Sequence, residues 1–164
     1  MRVLAQLLRN FDMKQTTVCY IERDGKYLML HRVKKKNDVN KDKWIGIGGK
    51  LEEGESPFDC VRREVSEETG LNLEALKYRG IITFVSNEFG TEYMHLFSSN
   101  AFSGKLADTC DEGVLEWIAK DKLLSIPMWE GDKIFLRLLE TEDRFFSLKL
   151  VYEGQRLINS VIEY

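Results

Sequence analysis

Apolar positions recur along this chain in two rhythms. Thr16 to Glu22, Tyr27 to Arg32, Tyr78 to Val85, Glu92 to Phe102 and Gly113 to Ile118 are short β-rich runs bounded by turn residues, which predicts strands. Asp24-Gly25 between the first two is a hairpin signal, and Glu153-Gly154 between Phe145–Tyr152 and Arg156–Ile162 is a second. Two segments follow the helical period instead. Pro127 to Leu139 carries Ile134, Phe135, Leu138 and Leu139 on one face, and a helix from Pro57 to Thr69 carries Phe58, Val61 and Val65. Strands alternating with two or three helices predict an α+β fold, a mixed sheet between helices (α/β/α). No repeat, low-complexity tract or linker divides residues 1–164, so the expectation is a single domain.

The ends of the Pro57–Thr69 helix are written in the sequence. Ser56 is a good N-cap, Pro57 suits the first helical position, and Asp59 adds a favourable first-turn charge. Gly70 can take φ > 0 and end the helix. Beside the apolar stripe, Glu64, Glu67 and Glu68 fall within an arc of about 100°. That face works against the helix. Glu64 and Glu68 are like charges at i,i+4, costing ~0.2–0.5 kcal/mol, and the last turn already disfavours anions. Arg63 can pair with Glu67 but cannot neutralise three carboxylates. An all-oxygen donor set with no His or Cys beside it suits a hard cation, Mg²⁺ or Mn²⁺.

Composition changes this picture little. The chain of 164 residues is 43% apolar and 31% charged with net charge −3, ordinary for a globular domain and wrong for a nucleic-acid coat protein. Three cysteines (Cys19, Cys60, Cys110) are an odd number without metal-ligand spacing and read as reduced cytosolic thiols. The apolar stretch Val3 to Leu8 is too short for a signal peptide or membrane span. A cytoplasmic protein without membrane or nucleic-acid polymer as partner is expected, as monomer or homodimer. Met13 stands just before the first strand, which marks residues 1–12 as an extension or a misassigned start.

The run GKLEEGESPFDCVRREVSEETGL, Gly49 to Leu71, holds Gly49, Glu55, Arg63, Glu64, Val65, Glu67, Glu68, Gly70 and Leu71 at the fixed positions of one signature. In this it resembles the Nudix hydrolases. The resemblance implies the Nudix fold and a loop–helix–loop metal site that cleaves a diphosphate linked to an organic group. Glu64 is then the first choice as metal ligand and proton acceptor, with Glu67 and Glu68 as ligands and the Gly49 carbonyl as another. Glu55 and Arg63 are orienting residues. Glu112 matches the carboxylate that completes the site in MutT-like members.

Further likenesses point to the MutT-like branch that removes oxidised purine nucleotides such as 8-oxo-dGTP, and to its bacterial members above its animal ones. They are Lys43 to Lys50, Trp129-Glu130-Gly131-Asp132, and His31-Arg32. They nominate Arg32 for phosphates, Lys50 for substrate binding, Trp129 for stacking on a purine, and Asp132 or Glu130 for the base edge. Each also has a plain structural reading: strand end, core packing, helix-start charge. Ile45 stands where animal members carry a base-reading Asn, and Gly131 takes one of their two acidic positions. The expected reaction is Mg²⁺-dependent hydrolysis of a nucleoside triphosphate, a small-molecule substrate, to monophosphate and pyrophosphate. Alternatives are another nucleoside diphosphate derivative (ADP-ribose, a dinucleotide) or a non-catalytic nucleotide-binding module. The ADP-ribose branch carries a proline some fifteen residues past the motif, where this chain reads Thr83-Phe84-Val85-Ser86.

Overall fold

Each predicted strand forms, and the sheet they build positions one helix on each face. The computed structural model describes residues 13–164; the expectations for Val3–Leu8 and residues 1–12 lie outside them. In chain order the elements are β1 (Lys14–Arg23), β2 (Lys26–His31), β3 (Trp44–Ile45), α1 (Pro57–Thr69), β4 (Asn72–Ser86), β5 (Gly90–Ser103), β6 (Val114–Ala119), a 3₁₀ turn (Lys120–Ser125), α2 (Glu130–Thr141), β7 (Phe146–Glu153) and β8 (Arg156–Glu163). The strands lie in the order β3-β2-β1-β5-β4-β7-β8, and β6 also pairs with β2. Leu30 pairs with both Ile45 and Leu115, so β3 and β6 lie on opposite edges of β2. The pairings β1–β5 and β4–β7 are parallel and the rest antiparallel. This is the mixed sheet expected of the α+β class.

Alternation along β1 builds two cores at once. Val18 and Tyr20 join one cluster with Phe84, Leu96, Leu148 and, from α2, Phe135, Leu136 and Leu139. Cys19 and Ile21 point the other way, to Leu28, Leu30, Ile47, Phe97 and, from α1, Val61 and Val65. A strand buried on both faces needs no polar positions, which is why β1 reads as a continuous apolar run. All three cysteines are buried and unpaired. No helix among the described residues is long and apolar enough to cross a membrane.

Two boundaries differ from the sequence expectation. β4 begins at Asn72 rather than Tyr78, because its pairing with β5 slips at Leu73/Ala75, Ala75/Lys77 and Tyr78/Gly80, and those irregularities break the period-2 pattern. α2 begins at Glu130 rather than after Pro127. The Pro127 carbonyl accepts a hydrogen bond from Trp44 N at 2.8 Å, which keeps the chain extended until Trp129 becomes the N-cap.

Candidate active site

The loop before α1 is tied to β1. Cys19 and Ile47 exchange backbone hydrogen bonds at 2.7 and 3.0 Å, and Thr17 N donates to the Gly49 carbonyl at 2.8 Å. At its far end a capping box closes α1: Asp59 N donates to Ser56 Oγ and Ser56 N donates to Asp59 Oδ2. Gly70 ends the helix at φ 75°. Gly49 is glycine for space. A Cβ there would stand 2.5 Å from the Glu64 carboxyl carbon.

Arg63 gathers the acidic face. Its Nε donates to Glu55 Oε1 at 2.5 Å, Nη1 to Glu64 at 2.8 Å and Glu67 at 3.2 Å, and Nη2 to Glu55 Oε2 and the Lys50 carbonyl, both at 3.1 Å. These bonds hold the Glu55 carboxyl down near pKa 2, helped by a bond from Glu52 N. Glu68 is outside this arrangement. Its Oε2 is buried without a partner, and burial, then the charges of Glu64 and Glu112, push its carboxyl up to about 8. Glu112, from the turn before β6, thus joins the helix carboxylates in space. Its Oε2 lies 2.8 Å from Arg32 Nη1, close enough for an ion pair but too poorly aligned for a hydrogen bond, and its Oε1 accepts from Lys35 at 2.9 Å.

Among the described residues, no three His, Cys, Asp or Glu side chains converge on a common point. Arg63 instead claims Glu55, Glu64 and Glu67. The donor set nevertheless fits a hard cation. It is all oxygen, two of its buried oxygens (Glu68 Oε2 and Glu112 Oε2) accept no hydrogen bond, and burial together with the neighbouring carboxylate charges raises the Glu68 pKa.

A cavity of about 250 Å³ opens beside this face. Its lining includes Gly48, Gly49 and Arg32 together with Asn40, Phe84, Trp129 and Asp132. Whole small-molecule sites start at ~300 Å³, so it suits part of a ligand whose remainder lies outside. A hollow of about 300 Å³ around Tyr27, Lys77, Arg79 and Asn100 contains no residue of the acidic run.

The structure separates the candidates inside this cavity. Asp132 is 8% exposed, and burial, then the nearby Glu92 charge, raise its carboxyl to about 8, against the opposing pull of Lys43. Glu130 is exposed and pairs with Lys133, so of the two acids only Asp132 lines the cavity. Trp129 is both wall and core: it packs edge-on against Phe84 and Tyr152, its ring lies under Lys43 Nζ at 4.5 Å, and its indole N–H donates to Asn40 Oδ1 at 2.8 Å. Gly131 is required by packing, since a Cβ would meet Tyr152 Oη at 2.7 Å.

Other candidates are engaged elsewhere. The Arg32 fork, nominated for phosphates, is held by Asp38 at 2.5 Å and by Glu112. The Lys50 side chain is exposed and does not line the cavity; its carbonyl serves Arg63. His31 stacks on Trp44 at 4.4 Å, and His95 bonds Tyr78 and Gln15. Sequence reasoning missed Asn40, Asp38 and Glu92, which carry no motif.

The raised Asp132 carboxyl has a consequence for stability. Its folded pKa of about 8 exceeds the unfolded value of ~3.9, so its favourable contribution is complete below pH ~4 and is lost as pH rises through about 8. Asp132→Asn removes this titration. The melting-temperature advantage of the variant over the parent is expected to grow from pH 4 to pH 8 and then level off. A difference constant across that range contradicts the buried neutral carboxyl.

The NUDIX domain family model matches residues 13–139. The chain belongs to the Nudix hydrolase family. Members of this family use divalent cations and act on small-molecule nucleotides. The chain is 33% identical to an oxidized purine nucleoside triphosphate hydrolase from Danio rerio over 139 residues, 82% of this chain and 85% of that one. It is 30% identical to the uncharacterized Nudix hydrolase YvcI of Bacillus subtilis over 124 residues, 73% of this chain and 75% of that one. Animal and bacterial relatives thus stand at nearly equal identity. Among solved structures, a MutT protein from Bacillus halodurans superposes with TM-score 0.81 at 28% identity, covering 92% of this chain and 98% of the other. The family model covers β1 to β6, α1 with the acidic run, and most of α2 of this Nudix hydrolase.

Proposed function

We propose that this Nudix hydrolase converts oxidised purine nucleoside triphosphates, such as 8-oxo-dGTP, to the monophosphate and pyrophosphate. The observation that carries the reading is the continuity of one cavity from Trp129 and Asp132 to Gly49 and Arg32, beside the carboxylates of α1. A purine placed against Trp129 and Phe84 would leave its phosphates to reach past Gly49 to the acidic face. The name of the Danio rerio relative supports the same substrate class.

Roles follow from chemistry. Glu64, Glu67, Glu68, Glu112 and the Gly49 carbonyl would hold Mg²⁺ or Mn²⁺. The cation, when bound, supplies neutralisation of the phosphate oxygens and makes water a better acid. Glu64 accepts the proton of the attacking water. Arg63 fixes the Glu64 carboxylate through Nη1 and ties it to Glu55, so the base is oriented before substrate arrives. Arg32 sets the position of Glu112 rather than meeting phosphate directly. Asp132, neutral at physiological pH, offers both an O–H donor and a carbonyl acceptor to the base edge. Guanine offers only an acceptor at N7, whereas its 8-oxo form presents an N7–H donor beside a C8 carbonyl, a pair that the carbonyl and O–H of one neutral carboxyl can engage together.

Pyrophosphate release with Mg²⁺ across a nucleotide panel tests the proposal. 8-oxo-dGTP is expected to be turned over far faster than dGTP, with 8-oxo-dGMP and pyrophosphate as products. Equal rates on the two, or activity on ADP-ribose alone, would remove the oxidised-purine reading.

A further inference from the structure

Asn40 sits in the loop between β2 and β3, and its carboxamide is oriented by a single bond. The Trp129 indole nitrogen is a donor only, so the atom facing it at 2.8 Å is the amide oxygen. The other end, Nδ2 with two N–H donors, makes no hydrogen bond to the described residues. The backbone behind it is held on both sides: Asn40 N donates to Asp38 Oδ1 at 3.0 Å, and Lys43 N donates to the Asn40 carbonyl at 2.9 Å. Asp38 is itself locked by Arg32, with only 4% of its side chain exposed. Asn40 lines the same cavity as Asp132, and Ile45 lines it too without offering any polar side-chain group.

We propose that Asn40 is a specificity-determining residue that donates from Nδ2 to the 6-carbonyl oxygen of the purine. This rests on the reading that the cavity takes a purine. A 6-oxo purine satisfies both partners. A 6-amino purine sets donor against donor and leaves two polar groups unpaired in a confined site, the arrangement by which hydrogen-bonding sites reject the wrong ligand. Asp132 reads the oxidised positions of the base, and Asn40 selects the ring system that carries them. The device is pre-organised, because the Trp129 and Asp38 bonds exist before any ligand enters.

The test is kcat/KM for dGTP, 8-oxo-dGTP, dATP and 8-oxo-dATP on the parent, Asn40→Asp and Asn40→Ala. Asn40→Asp keeps an oxygen for Trp129 and turns the free end from donor to acceptor. The preference for 6-oxo over 6-amino purines is expected to fall by at least about tenfold in Asn40→Asp, and to weaken without inverting in Asn40→Ala. A purine-active parent whose preference is unchanged in both variants overturns the assignment of Asn40 alone. A parent inactive on every purine triphosphate overturns the purine reading, and the assignment with it. Retained melting temperature and tryptophan emission in Asn40→Asp show that the Trp129 contact survives.

Discussion

Glu64→Gln is expected to reduce turnover of the nucleotide substrate by ~10²–10⁴-fold, the range for loss of a positioned general base, while the protein stays folded. Gln has the volume of Glu and can still accept the Arg63 Nη1–H now bonded to Glu64 Oε1. It cannot take up a proton, and it is a poor ligand for a hard cation. Charge repulsion within the helix falls at the same time, since the Glu64 carboxylate is the largest charge raising Glu68. Thermal stability is therefore expected to hold or rise slightly in metal-free buffer. Steady-state kinetics and a thermal melt separate the two effects. Activity within tenfold of the parent would remove Glu64 from the role given to it.

Gly49→Ala is expected to carry the second-largest effect, through geometry alone. The added methyl would stand 2.5 Å from the Glu64 carboxyl carbon and 2.6 and 2.7 Å from its two oxygens. The carboxylate must rotate away, because the Gly49 backbone is pinned by Thr17 N and its neighbour Ile47 by Cys19. Overpacking of this kind costs ~1–3 kcal/mol. Displacing a reacting group by about 1 Å can cost ~10²-fold in rate. A fall in kcat of about that size is expected, with a modest loss of melting temperature. The φ of Gly49 is not in the left-handed region, so strain does not confuse the result. Full activity in Gly49→Ala would mean that Glu64 acts from some other orientation.

Legibility in the sequence tracked how local each signal was. The helix Pro57–Thr69 could be read from its own residues, because Ser56, Pro57, Asp59 and Gly70 act within one turn of where they stand. The acidic face was visible for the same reason. Glu112 was not visible from local physics: only a family resemblance pointed to it, and its charge reaches Glu68 through the pairing of β6 with β2. α2 starts later than its apolar period predicts because a hydrogen bond from Trp44, more than eighty residues earlier in the chain, holds Pro127 extended. Asp132 could be nominated from Trp129-Glu130-Gly131-Asp132, yet its neutral state depends on burial under a sheet. Asn40 and Asp38 were silent, since a polar loop residue gains meaning only when the loop folds back on Trp129 and Arg32. Arg32 is nominated for phosphates by its place at a strand end, and nothing nearby in sequence announces that Asp38 and Glu112 will engage its guanidinium.

The proposed function needs one continuous site, with base recognition at Trp129 and Asp132 and hydrolysis at the carboxylates of α1. The most direct measurement is a crystal structure of Glu64→Gln with 8-oxo-dGTP and Mg²⁺. The purine is expected in the cavity against Trp129 and Asp132, with the triphosphate running past Gly49 to Glu68 and Glu112. A purine bound outside that cavity, or a triphosphate directed away from the acidic face, would contradict it.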